Sequence, residues 1–161
     1  MRYNVYTDGS CRNNGSVNSV GAYGYIIVVN DQIINEHADV QVPATNQQME
    51  LRAALEACKY AETLLVSTFD EVCIYTDSAY LHNCKMQKWY EYWRTHNWKT
   101  KTKTLVANSD IWKELIPYFE NPQFTFLKVP GHADNKYNNI IDKKVQNASL
   151  EAQRSQNGSS N

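Results

Sequence analysis

The feature that most constrains this chain is a change of hydrophobic period at Pro43. Before it, Tyr3–Thr7, Ala22–Asn30 and Gln32–Val42 are rich in β-branched and aromatic residues, and Asp31 sits in a tight turn between the last two. Three such runs in succession read as an antiparallel meander. Asp8-Gly9 resembles the exit of the first strand, and the Asn-, Ser- and Gly-rich stretch Cys11–Ser19 a loop. After Pro43 the apolar residues recur at helical spacing. Thr45 or Asn46 can cap a helix running to about Leu65, with Met49, Ala53, Ala57 and Tyr60 on a broad apolar face. The strand-like run Glu71–Thr76 follows, so a right-handed crossover to a parallel neighbour is expected.

The remainder alternates in the same way. Ala79–His96 has helical composition with a break near Met86–Trp89, Ser109 is a plausible cap for the next helix, and Pro117 should kink or end it. The segment Thr95–Asn108 is a ribbon or an exposed loop, Gln123–Val129 a fifth strand, Pro130-Gly131 a turn, and Asn138 to about Gln153 the last helix. The expected order βββαβααβα gives an α/β fold: a mixed five-stranded sheet, three strands antiparallel and the others parallel, flanked by helices. At 161 residues this is one domain, placed at residues 1–155, with 156–161 as a flexible polar tail. No apolar run approaches a membrane span, and Met1 leads straight into a strand without a signal-peptide core. Cys11, Cys58, Cys73 and Cys84 lack zinc spacing and read as reduced thiols. A cytoplasmic monomer is the expectation.

The formal charge is only −1, yet it is unevenly spread. Between Lys85 and Thr104 there are six basic residues and one acidic residue, so that window carries +5 and the rest of the chain −6. Such a basic projection, around residues 89–104, can attract a polyanion. The acidic residues have a pattern of their own. If the first and fourth strands are adjacent and parallel, Asp8 and Asp77 emerge side by side, and Glu50 and Asp142 on packed helices could complete a basin of four carboxylates. Crowded like charges raise one another's pKa, and a divalent cation reverses the sign of that effect. An all-oxygen set suits Mg²⁺, with Mn²⁺ as a substitute, and two such ions are a standard device for phosphodiester hydrolysis. Each residue also has a plain structural role open to it: a turn for Asp8, helix-dipole pairing for Glu50, solvated surface for Asp142.

At these residues the chain resembles the type 1 ribonuclease H family, the small bacterial-type enzymes. Thr7-Asp8-Gly9-Ser10 matches a TDGS motif, Thr45–Leu51 a TNxxMEL motif, and Thr76–Tyr80 a TDSxY motif. Gly131-His132-Ala133 is followed by Asp142, ten residues after the histidine. The resemblance implies an endonuclease that hydrolyses the RNA strand of an RNA–DNA hybrid by a two-metal mechanism, leaving 5′-phosphate and 3′-hydroxyl ends. Asp8, Glu50, Asp77 and Asp142 would be the metal-binding catalytic residues, and His132 would assist proton transfer or product release. A catalytically weak hybrid-binding module of the same fold is the alternative.

The resemblance also implies how a hybrid is held. Asn13 or Asn14, Asn46 and Gln47, with the backbone near Cys11, would line the wide minor groove where 2′-hydroxyls are displayed. Trp89, Trp93, Trp98, Lys99, Lys101 and Lys103 would form a protrusion that grips the DNA backbone, the tryptophans as stacking surfaces or as anchors. The chain departs from the common bacterial pattern in the loop RNNGSVNSVG after Asp8, in Gln47, in Pro130 and in Asn139. No protein partner beyond the hybrid duplex is expected.

Overall fold

A computed structural model of the chain describes residues 1–129 and 135–159. Ten elements follow one another: β1 (Arg2–Arg12), β2 (Val20–Val29), β3 (Gln32–Gln41), α1 (Asn46–Leu64), β4 (Glu71–Thr76), α2 (Ala79–Gln87), α3 (Trp89–Thr95), α4 (Ser109–Phe119), β5 (Phe124–Lys128) and α5 (Lys136–Ser159). The strands form one sheet in the order β3-β2-β1-β4-β5. The β1–β2 and β2–β3 pairs are antiparallel, and β1–β4 and β4–β5 are parallel. This is the mixed five-stranded sheet that the change of period predicts.

Strand alternation divides the sheet into two dry layers. Val5, Ile27 and Ile74 point to one side, where they pack with Leu51, Leu55 and Ala61 of α1 and with Trp112, Leu115 and Phe119 of α4. Tyr6, Ile26 and Val28 point to the other side and meet Ile141 and Val145 of α5. The basic segment stands on the first layer, with Trp89, Trp93 and Trp98 packed against it.

Several boundaries differ from the sequence expectation, each for a local reason. Cys11 belongs to β1, which stays in register with β2 as far as Arg12↔Val20, because the partner strand supplies hydrogen bonds beyond Asp8-Gly9. The predicted break after Met86 is Lys88, left-handed at φ 54, which ends α2 and starts α3. Asn108, at φ 59, occupies the cap position of α4 that Ser109 was expected to fill, and Ser109 is the first helical residue. Pro117 is tolerated two residues from the end of α4, where a missing N–H costs one helical bond. α5 begins at Lys136, earlier than Asn138, because Asn135 Oδ1 accepts from the N–H groups of Tyr137 and Asn138 and caps the helix there. Its far end is Ser159. α3 takes Thr95, and residues 96–108 are a loop with one antiparallel bridge, Lys99↔Leu105. Among the described residues no helix is long and apolar enough to cross a membrane.

Candidate active site

Two strands that run in the same direction bring the first two acids together. Tyr6 is paired with Tyr75, so two residues further along the parallel pair Asp8 stands abreast of Asp77, which follows the last residue of β4. Tyr6 and Tyr75 stack at 4.6 Å beneath them. Asp8 shares the sheet face of Tyr6 by alternation, which is the face covered by α5. α5 carries Asp142 one residue after the buried Ile141, and its Oδ2 accepts from Gln146 Nε2 at 3.1 Å.

Glu50 arrives from the other side by a close backbone approach. Gly9 lies directly under the first turn of α1, and a Cβ at that position would overlap the Met49 carbonyl and the Glu50 nitrogen. Only glycine admits the helix this close to the strand, and the Asp-Gly pair therefore serves packing, not a strand exit. Thr45 fixes the register of the helix, its Oγ1 accepting from Gln48 N–H at 3.1 Å.

The electrostatics follow from burial. Asp8 is 8% exposed and its Oδ2 has no hydrogen-bond partner. Desolvation, then the charges of Asp77 and Asp142 and a hydrogen bond with Asp142, push its carboxyl up to about 8, against a smaller opposing bond from the Gly9 backbone. Burial also raises Glu50, where a bond from Ser78 opposes it and the Asp77 charge adds to it. Asp77 is raised chiefly by burial and further by Asp142, with its own backbone N–H and Lys128 pulling the other way. Asp8 thus senses Asp77 and Asp142, Asp77 senses Asp142, and Glu50 senses Asp77. Among the described residues, however, no three acidic, histidine or cysteine side chains stand close enough together to hold a metal ion. The chemistry of the donors still fits a hard divalent cation: carboxylate oxygens only, one of them buried and unpartnered.

Beside this array the end of β1 is tied to the start of α1. Cys11 N–H donates to Asn46 Oδ1 at 2.7 Å, and Asn46 N–H donates to Asn14 Oδ1 at 2.9 Å. The Asn46 and Asn14 oxygens are therefore engaged in cross-bracing, and Asn13 takes a left-handed backbone at φ 55 next to them. Asn13, Asn14, Asn46 and Gln47 are all exposed. Trp93 is in ring contact with Trp98 at 5.9 Å and with the buried Trp112 at 5.7 Å, while Trp89 is 6.3 Å from Trp93. These rings are anchored, with partly exposed edges. Lys99, Lys101 and Lys103 are exposed, Lys101 Nζ lying 5.9 Å from the Tyr92 ring centroid. His132 lies outside the described residues.

The RNase H family model matches residues 1–150. The chain belongs to the RNase H family. As a bacterial-type, type 1 RNase H it is 39% identical over 147 residues to a ribonuclease H of Clostridium botulinum strain Hall, covering 89% of this chain and 93% of that one. It is 36% identical over 150 residues to a ribonuclease H of Chlorobium limicola, covering 91% and 94%. Among solved structures, LC9-RNase H1 superposes with a TM-score of 0.75 at 24% identity, over 93% of this chain and 72% of that one. The PFV RNase H domain does so at 0.73 and 22%, over 93% and 96%. At these identities the two structures speak to the fold. Family membership makes the chain an RNase H-family hydrolase.

Four residues of this candidate site are not singled out by the sequence for the part they play in it. Gly9 is visible as half of a common turn pair and as a member of the TDGS motif, but not as the seat of α1. Ser78 reads as a helix cap, which it is, its Oγ accepting from Leu81 N–H, but its bond toward Glu50 is a tertiary matter. Gln146 is legible as i+4 from Asp142 on a helix. Lys128, paired in register with Thr76, acts on Asp77 across a parallel pairing that no local pattern announces.

Proposed function

We propose that this RNase H is an endonuclease that hydrolyses the RNA strand of RNA–DNA hybrids, leaving 5′-phosphate and 3′-hydroxyl ends, as a cytoplasmic monomer. The observation that carries the reading is the buried carboxylate of Asp8, whose Oδ2 has no hydrogen-bond partner, beside Asp77 and Asp142. Such a group raises the free energy of the fold and is retained for what it binds. Asp8, Glu50, Asp77 and Asp142 would hold Mg²⁺, or Mn²⁺ in its place. Bound there, two such ions supply an activated water and stabilise the leaving 3′-oxygen.

The chain's own residues supply the rest. Gly9 lets α1 bring Glu50 to the array, Ser78 bonds to Glu50, and the stacked Tyr6 and Tyr75 rings lie beneath Asp8 and Asp77. His132, ten residues before Asp142, would pass a proton or speed product release, suited to that by a titration range near neutrality. The exposed Asn13, Asn14, Asn46 and Gln47, with the backbone near Cys11, would meet the 2′-hydroxyls of the RNA strand in the minor groove. The basic loop with Lys99, Lys101 and Lys103, on its base of Trp89, Trp93 and Trp98, would hold the DNA strand by its phosphates. Four free cysteines, three of them buried, suit a reducing compartment.

The exposed position of Asp142 and the lack of a ready three-ligand group among the described residues favour one other reading, a hybrid-binding module with little turnover. The deciding experiment is cleavage of an end-labelled hybrid with Mg²⁺, Mn²⁺ or chelator, run beside RNA and DNA duplexes and the D77N protein. Metal-dependent cutting of the hybrid's RNA, absent in D77N, is expected. Tight binding without cutting would establish the module, and equal activity in D77N would place the site elsewhere.

A further inference from the structure

Arg12, the last residue of β1, stands four residues beyond Asp8, so alternation puts both on the α5 face of the sheet. The strand is continuous between them, Arg12 paired with Val20 as Asp8 is with Gly24. Arg12 Nε donates to Ser149 Oγ at 3.1 Å. Ser149 is 1% exposed and donates its own hydroxyl to the Gln146 carbonyl at 2.9 Å, so its lone pair is turned to Arg12. Ser149 and Asp142 are seven residues apart on α5, two helical turns, and so share a face about 10 Å from each other along the axis. The strand route from Asp8 to Arg12 is about 13 Å. By either route the backbone positions that carry Arg12 and Ser149 lie about 10–13 Å from those that carry Asp8 and Asp142, farther than a single phosphate spans.

Among the described residues no carboxylate pairs with Arg12. Six ion pairs form among the described residues and none includes it. With Nε committed to Ser149, the two terminal NH2 groups are the free side of a planar fork, a geometry that matches phosphate oxygens. The α5 face is the one that carries Asp8 and Asp142, whereas the lysine-rich loop stands on the opposite layer. We propose that Arg12, positioned by Ser149, is a phosphate clamp for the RNA strand, gripping its backbone one or two nucleotides from the phosphate that faces the carboxylates. This deepens the reading of the site as an RNA-strand nuclease and rests on it.

The test is hybrid binding in chelator across a salt series, with a single uncharged methylphosphonate walked along either strand. R12M keeps the aliphatic stem and its packing, R12K keeps the charge without the fork, and thermal melting checks that each folds. R12M should bind roughly five- to tenfold more weakly and lower the slope of log K against log salt by about 1. R12K should retain the slope and lose part of the affinity, and S149A should do likewise because only the positioning is gone. One neutral linkage in the RNA strand should weaken the wild type and leave R12M unchanged. An R12M slope equal to wild type, or a sensitive linkage only in the DNA strand, would overturn the clamp. A wild type that shows the R12M difference and never cuts the hybrid would overturn the nuclease reading and leave the clamp standing.

Discussion

Replacing Asp8 by asparagine should stabilise the metal-free protein, by an amount that grows with pH. The Asp8 carboxyl is pushed from an ordinary value of 3.8 up to about 8 in the fold. Between those two values the folded chain holds a proton that the unfolded chain has released, so the free energy of unfolding falls as pH rises through the window. The loss is absent below about pH 4, and at one pK unit per 1.36 kcal/mol it reaches roughly 4 kcal/mol by pH 7 as an upper bound. Side-chain relaxation and the sharing of protons with Glu50 and Asp77 reduce what is measured to about 1–3 kcal/mol. The amide of the D8N protein is neutral at every pH and nearly the same shape, so D8N should match wild type near pH 4 and exceed it progressively to pH 8. Urea unfolding followed by tryptophan fluorescence, in chelator at pH steps from about 4 to 8, reads the difference directly. A gap between the two proteins that is flat with pH would refute the claim that burial and neighbouring carboxylates hold the Asp8 proton in the fold.

Adding Mg²⁺ at neutral pH should raise the melting temperature of wild type and do so less in D77N, since a ligand that binds only the folded state stabilises it by mass action; equal shifts would detach Asp77 from the ion. Gly9→Ala should cost about 3 kcal/mol, because the new Cβ meets the backbone of Met49 and Glu50 and one of the two elements must move; a melting temperature within error of wild type would show that α1 is not seated on β1 as described. Neutralising Lys99, Lys101 and Lys103 together should lower the salt slope of hybrid binding by about 2–3 with little change in melting temperature, as exposed phosphate-facing charges do, whereas an unchanged slope would make them ordinary surface.

The fold class and much of the candidate site were legible before any coordinates, because both rest on short-range patterns. Alternation before Pro43 and helical spacing after it specify the meander and the crossover. Asp77 follows the end of β4 and Glu50 lies in the first turns of α1, as the pattern places them, whereas Asp8 lies inside β1, which runs on to Arg12. Thr45 was legible as one of two caps for α1, and its Oγ1 does cap the helix. What was illegible depended on partners distant in sequence. Cys11 reads as loop in composition and is strand in fact, because β2 provides a ladder for it.

The sequence by itself determined which residues could be acidic, amphipathic or basic neighbours along the chain: the periods, the caps, the charged window from Lys85 to Thr104 and the order of the motifs. Only the tertiary structure decided that β1 and β4 run parallel in a register that sets Asp8 beside Asp77, that Gly9 admits α1, and that Ser149 holds Arg12. The physical reason is that desolvation and Coulomb interaction act through space. A carboxyl in solvent titrates where its chemistry dictates, and the same carboxyl under α5 with two charged neighbours carries a perturbed proton affinity that no local pattern encodes.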